Sequence, residues 1–132
     1  MIGENLKLNN IVFRIQDVEG RGPWKPGFSH KWVQDREDHE NLLPWHIEFG
    51  RVTQYAYSWE LIGCGCTSIE QLRRWFTDVE YCTLLSYGYQ AVQITASRIL
   101  AQSDTQCVFT TKIPFNKQFV IFDLYPKGVL CA

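Results

Sequence analysis

The sequence predicts an α+β fold: a mostly antiparallel sheet, one main helix over about 67–87, and a long Gly/Pro-rich loop over about 20–30. Three observations predict it. Short β-branched and aromatic runs recur in both halves of the chain. One central stretch carries helix-start signals followed by apolar residues at helical spacing. The order is strand, loop, strand, helix and then three strands, which is not the alternation that builds a parallel sheet. The 132 residues fit one domain, taken as 1–132.

Residues 10–16 read Asn-Ile-Val-Phe-Arg-Ile-Gln, a strand expected at the centre of the sheet or second from its edge. Alternation sets Ile11, Phe13 and Ile15 on one face and Val12, Arg14 and Gln16 on the other. The second face begins apolar and ends polar, as the wall of a cleft does. Residues 20–30 hold Gly20, Gly22, Pro23, Pro26 and Gly27 among Arg21, Trp24, Lys25 and Phe28. That Gly/Pro density excludes helix and strand, and the two aromatic rings argue against plain disorder. Residues 34–41 are charged and read as a solvated turn or short helix. After Pro44, Trp45-His46-Ile47-Glu48-Phe49 alternates strictly and predicts a half-buried strand. Residues 51–62 fit two templates. Val52, Tyr55, Trp59 and Ile62 keep helical spacing, while Tyr55, Tyr57 and Trp59 alternate. Period alone does not separate them.

The helix begins at a capping box, Thr67-Ser68-Ile69-Glu70, with Thr67 as the N-cap. Ile69, Leu72 and Phe76 form its apolar stripe, with Arg73 and Arg74 facing outward. A second box, Thr77-Asp78-Val79-Glu80, continues it, and Gly88 closes it. Residues 91–96 and 106–112 read as strands, with 97–105 as a polar connection between them. Residues 118–124 read as a continuous apolar strand of the fully buried kind.

Composition excludes several functions. Lys and Arg number 13 against 14 Asp and Glu, for a formal charge of -1. Bulk attraction to phosphate backbones therefore recruits nothing here, and nucleic acid is not an expected partner. No apolar run of the roughly 20 residues needed to span a membrane occurs, and no signal peptide is read at the N-terminus, so a cytoplasmic protein is expected. Five cysteines, Cys64, Cys66, Cys82, Cys107 and Cys131, cannot all pair within one chain and are expected as free thiols. Cys64-Gly65-Cys66 is too closely spaced for the usual zinc pair, and His30, His39 and His46 lie in a distant segment. Thiols in a tight Gly-containing turn are expected there, and no metal. The phosphate-loop, dinucleotide-turn and nucleophile-elbow motifs are absent.

Arg14 is the residue singled out. A guanidinium on a strand with apolar neighbours must reach a carboxylate, backbone carbonyls or a ligand anion. An internal ion pair is the plainer outcome. Phe13-Arg14-Ile15 on a first strand, followed by a Gly-rich loop, resembles the opening of the ADP-ribosyltransferase fold and of its Arg-Glu-Ser toxin branch. The resemblance implies an NAD-binding protein, either an ADP-ribosyltransferase that modifies a host macromolecule or an NAD glycohydrolase. Arg14, Tyr57 and Ser68 would hold the cofactor, with Asp104 and Gln106 as the catalytic pair. Where that family carries Glu-x-Glu or Gln-x-Glu, this chain has Asp104-Thr105-Gln106. Asp104 then offers the carboxylate beside the ribose on a shorter arm, and Gln106 only a hydrogen bond. Residues 65–76, Gly-Cys-Thr-Ser-Ile-Glu-Gln-Leu-Arg-Arg-Trp-Phe, are similar to a helix of small phage and prophage proteins. With five Trp and a loop bearing Trp24 and Phe28, the alternative is a phage-encoded, non-catalytic inhibitor. It would block a host defence protein through an aromatic surface.

Overall fold

The computed structural model describes residues 10–33 and 41–126. The β-branched run at its start forms β1 (Ile11–Gln16). Its alternation is the one read from the sequence: Ile15, with Phe13 beside it, packs against the helices, while Val12 packs between two sheets. Strand β2 (Leu61–Gly65) precedes the helices; β3 (Gln90–Thr95), β4 (Arg98–Gln102), β5 (Cys107–Thr111) and β6 (Val120–Phe122) follow them. One antiparallel sheet has the order β1-β3-β6 and the other β2-β5-β4. A single bridge joins them, with Phe13 and Cys66 exchanging both backbone hydrogen bonds at 2.8 Å. β1 is thus the outer strand of its own three-stranded sheet, rather than its centre or second from the edge.

Glycine sets how closely the strands approach at that joint. A Cβ on Gly65 would lie 2.9 Å from the Phe13 carbonyl oxygen, and one on Gly63 would lie 2.7 Å from the Phe115 ring. Cys64-Gly65-Cys66 is therefore the end of β2 at a close crossing, not a tight turn. Between the sheets, Val12, Val92, Ile94 and Phe109 form one core. Ile15, Leu72, Phe76, Leu84 and Leu124 form another under the helices.

The α+β class holds, with α1 (Trp45–Glu48), α2 (Ile69–Trp75) and α3 (Asp78–Ser86) beside the antiparallel sheets. The single helix expected over 67–87 is two. Phe76 is extended at φ -132° and ψ 110°, and Thr77 starts afresh with the reciprocal bonds of the Thr77–Glu80 box. The first cap moves by one residue. Ser68 Oγ accepts from the Gln71 N–H at 3.1 Å, and Gln71 Oε1 accepts from the Thr67 N–H at 2.9 Å. Ser68 and Gln71 offered the same three-residue spacing as Thr67 and Glu70, and the pair one step later forms the cap. Gly88, at φ +89°, follows α3 as expected.

Four other readings are corrected. Trp45 to Phe49 is not a strand: Trp45–Glu48 is a short helix starting after Pro44, and Ile47 on the supposed buried face is 61% exposed. Residues 97–105 contain β4, whose bulge between Ile99 and Ala101 breaks the alternation that would have revealed it. Residues 118–124 hold only the three-residue β6, an edge strand with Val120 and Ile121 facing outward. Cys64, Cys66 and Cys107 are free, but Cys82 is disulfide-bonded, so the expectation of five free thiols fails. In the ambiguous stretch, Val52–Tyr55 is a 3-10 turn and β2 begins at Leu61. The charged turn expected at 34–41 lies, but for Asn41, outside the described residues, as do His39 and Cys131.

Two outcomes are expected. Ser68→Ala lowers unfolding stability in urea by about 1 kcal/mol, and Thr67→Ala by less; the reverse order would restore Thr67 as the cap. The intact mass of oxidised protein rises on reduction by the hydrogens of one disulfide, and an unchanged mass would remove the Cys82 bond.

Candidate functional site

Beside the Phe13–Cys66 bridge lies a cleft of about 710 Å³, within the usual range for small-molecule sites. Arg14 of β1, Cys64 of β2, Trp24 of the 20–30 loop, Trp45 of α1, Trp75 of α2 and Gln106 at the start of β5 line it. Local bonds fix these walls. The Trp75 indole N–H donates to the Thr105 carbonyl at 2.7 Å. Trp24 packs edge-on against Trp32 at 4.5 Å and against Trp75 at 6.1 Å. The root of the loop is tied by Asp17 Oδ1, which accepts from the N–H groups of Glu19 and Arg21, both at 2.9 Å. Gln106 Nε2 donates to the Leu43 carbonyl at 2.6 Å and to Glu48 Oε1 at 2.9 Å.

Arg14 is 7% exposed. Its Nε and Nη1 are buried and have no hydrogen-bond partner among the described residues. The guanidinium carbon lies 4.7 Å from the centre of the Phe115 ring, a cation–π contact that leaves the N–H groups unmet. Burial lowers the Arg14 pKa, with Cys64 and Asp17 opposing. Burial raises that of the Cys64 thiol, against the pull of Arg14. A neutral thiol does not balance the guanidinium, and among the described residues Arg14 does not make the internal ion pair that was the plainer expectation.

A second buried charge is fully met. Glu60, with its side chain 2% exposed, pairs with Arg98 at 2.6 Å. It also accepts from the Tyr57 N–H and the Thr110 hydroxyl, each at 2.8 Å. These bonds, led by that from Arg98, hold the Glu60 carboxyl at about 2.

Of the five residues singled out for NAD chemistry, Arg14 and Gln106 come together on the cleft. Asp104 sits on the exposed turn between β4 and β5, its carbonyl accepting from Gln71 Nε2, and it is not among the cleft's described walls. Tyr57 is exposed and stacks on Trp59 at 4.8 Å, with the Arg98 guanidinium 4.5 Å from its ring. Ser68 is occupied as the cap of α2. The loop that carries Trp24 stood out in the sequence, but Trp45 and Trp75 did not, because the three walls come from distant segments with no shared local signal. Among the described residues no group of three or more His, Cys, Asp or Glu stands where it could hold a metal ion. No described helix is long and apolar enough to cross a membrane.

A family model described as Bacteriophage T4 Y00F protein matches residues 6–116 of the chain. No curated protein and no solved structure matches it.

The two charged sites respond oppositely to change. Glu60 is depressed from 4.5 in the unfolded chain to about 2, so its stabilisation is present above pH 4.5 and is lost as pH falls towards 2. Glu60→Gln should flatten the melting temperature against pH across that window; an unaltered acid limb would contradict the pairing. Arg14→Met should leave the ligand-free melting temperature unchanged or raised, because it removes a buried charge with unmet donors. A large drop would mean that Arg14 has a structural partner.

Proposed function

The chain belongs to the Bacteriophage T4 Y00F protein family, and we propose that it captures a nucleotide-like anion, NAD among them, in the cleft over Arg14. The observation that carries this reading is Arg14 itself: it lines an aromatic cleft, and two nitrogens of its buried guanidinium have no partner among the described residues. Arg offers fixed, charge-assisted donors suited to phosphate oxygens, and Trp rings offer faces for a base or nicotinamide. Gln106, beside it, supplies hydrogen bonding but no carboxylate. Turnover through an oxocarbenium-like state calls for a carboxylate near the sugar. Asp104 is exposed on its turn and stands apart from Arg14's cleft, so the reading is capture without ADP-ribosyl transfer.

A second reading draws on a separate surface. Tyr55, Tyr57 and Trp59 are exposed side by side, followed by the partly exposed Leu61 and Ile62. Such apolar patches mark interaction sites, and Tyr and Trp dominate interface hot spots. They suit a non-catalytic phage protein that blocks a host protein.

Titration calorimetry of NAD into the protein, with chromatography for released nicotinamide, tests the first reading. Binding to wild type, loss in Arg14→Met with an intact melting curve, and no nicotinamide are expected. Nicotinamide release would restore an NAD-cleaving enzyme, a glycohydrolase with water as the acceptor or a transferase if ADP-ribose is found on the protein. Absence of binding at millimolar NAD would remove NAD, and a host complex lost in Trp59→Ala would then favour the second reading.

A further inference from the structure

The charge on the cleft narrows its ligand. Among the described residues of its wall, Arg14 and His46 are the only basic side chains, and there is no Asp or Glu. The rest is chiefly apolar, with Trp24, Trp45 and Trp75 as its largest surfaces. One guanidinium, with Asp17 already acting on it, balances at most one added negative charge. A second charge brought into such a setting sheds its water and meets no fixed partner. A pyrophosphate carries two charges, and a terminal phosphate monoester approaches two at neutral pH.

A polar marker stands on the same wall. Both hydrogens of the Gln106 amide are taken, by Leu43 and Glu48, which fixes which way the amide is turned. Its Oε1 has no hydrogen-bond partner among the described residues and remains an acceptor. A ligand that meets both groups carries an anion at one point and an N–H donor at another.

Resting on the capture reading above, we infer that the cleft takes a flat aromatic body bearing one singly charged group, a phosphodiester or a carboxylate. That group sits on Arg14, and an N–H of the body donates to Gln106 Oε1. The rings of the cleft supply stacking faces, which are tolerant of the body's identity. Gln106 then sets specificity for bodies with a donor, and Arg14 sets the charge.

Calorimetry with five probes tests this: cyclic AMP, AMP, NAD, indole acetate and naphthalene acetate. Cyclic AMP should bind at least about tenfold more tightly than AMP or NAD, the difference expected from one uncompensated charge. Indole acetate stands in for the carboxylate source, and whichever of it and cyclic AMP binds more tightly identifies the group. Arg14→Met should abolish binding and Arg14→Lys weaken it, both with melting curves intact. Gln106→Leu should weaken cyclic AMP and indole acetate several-fold and leave naphthalene acetate, which has no N–H, unchanged. AMP or NAD binding as tightly as cyclic AMP would overturn the single-charge inference while leaving nucleotide capture standing. Binding of the carboxylates alone would keep the single charge and remove the nucleotide. Failure of all five, or equal binding by Arg14→Met, would overturn both.

Discussion

Two hydrogen bonds between Phe13 and Cys66 hold the two sheets together along one side, and much of the structure follows from that joint being one residue pair wide. On the other side the chain itself makes the corner. Ala96 N–H donates to the Asn10 carbonyl and Ser97 N–H to the Thr110 carbonyl, both at 2.7 Å. Between joint and corner the sheets face each other over Val12, Ile94 and Phe109. Gly65 is what lets the joint close, since any Cβ there would press on the Phe13 carbonyl. Beyond the bridged pair, β1 and β2 form no further ladder, and Arg14 and Cys64 at the parting line the cleft. A longer ladder would fill the space that these two residues now share with the loop and with α1.

The parts legible in the sequence are those in which local chemistry and burial agree. β1 has one face towards each core, so its alternation is genuine, and the Thr77–Glu80 box is a self-contained set of bonds. Arg14 was legible because a charge between apolar neighbours is anomalous wherever it lies. Where local pattern and burial diverge, reading fails. Trp45 to Phe49 alternates by composition, yet Pro44 starts a helical turn and the alternating side chains do not share a buried face. β4 has apolar residues in succession because its bulge spends one of them, so it has no period to detect. β6 is apolar without being central, and a continuous apolar run carries no information about which edge is covered.

The candidate site divides in the same way. Gln106 could be placed near Arg14 only through the resemblance, and its partner Asp104, two residues earlier, falls on the outside of a turn. A turn reverses direction within a few residues, so neighbours in sequence need not share a site. The three Trp walls come from a loop and two helices whose meeting is a property of the whole fold. Trp75, for instance, is aimed by a bond to Thr105, thirty residues away.

The two partly hidden arginines show what this chain does when a charge is only structural. Arg98 donates twice to Glu60, at 2.6 and 3.1 Å, and once to the Tyr55 carbonyl at 2.9 Å, and it lies over the Tyr57 ring. Its partner Glu60 is in turn met by Thr110 and by the Tyr57 backbone. Arg14 is more deeply buried, yet two of its nitrogens have no partner among the described residues. On the same face of β1, Gln16 Oε1 is also an unmet acceptor among the described residues. A position that served only packing would be better filled by Met or Leu, because replacing a buried charge by an apolar chain of similar volume is commonly neutral or stabilising. By that argument Arg14 costs stability where it stands, which fits a group whose partner is not among the described residues.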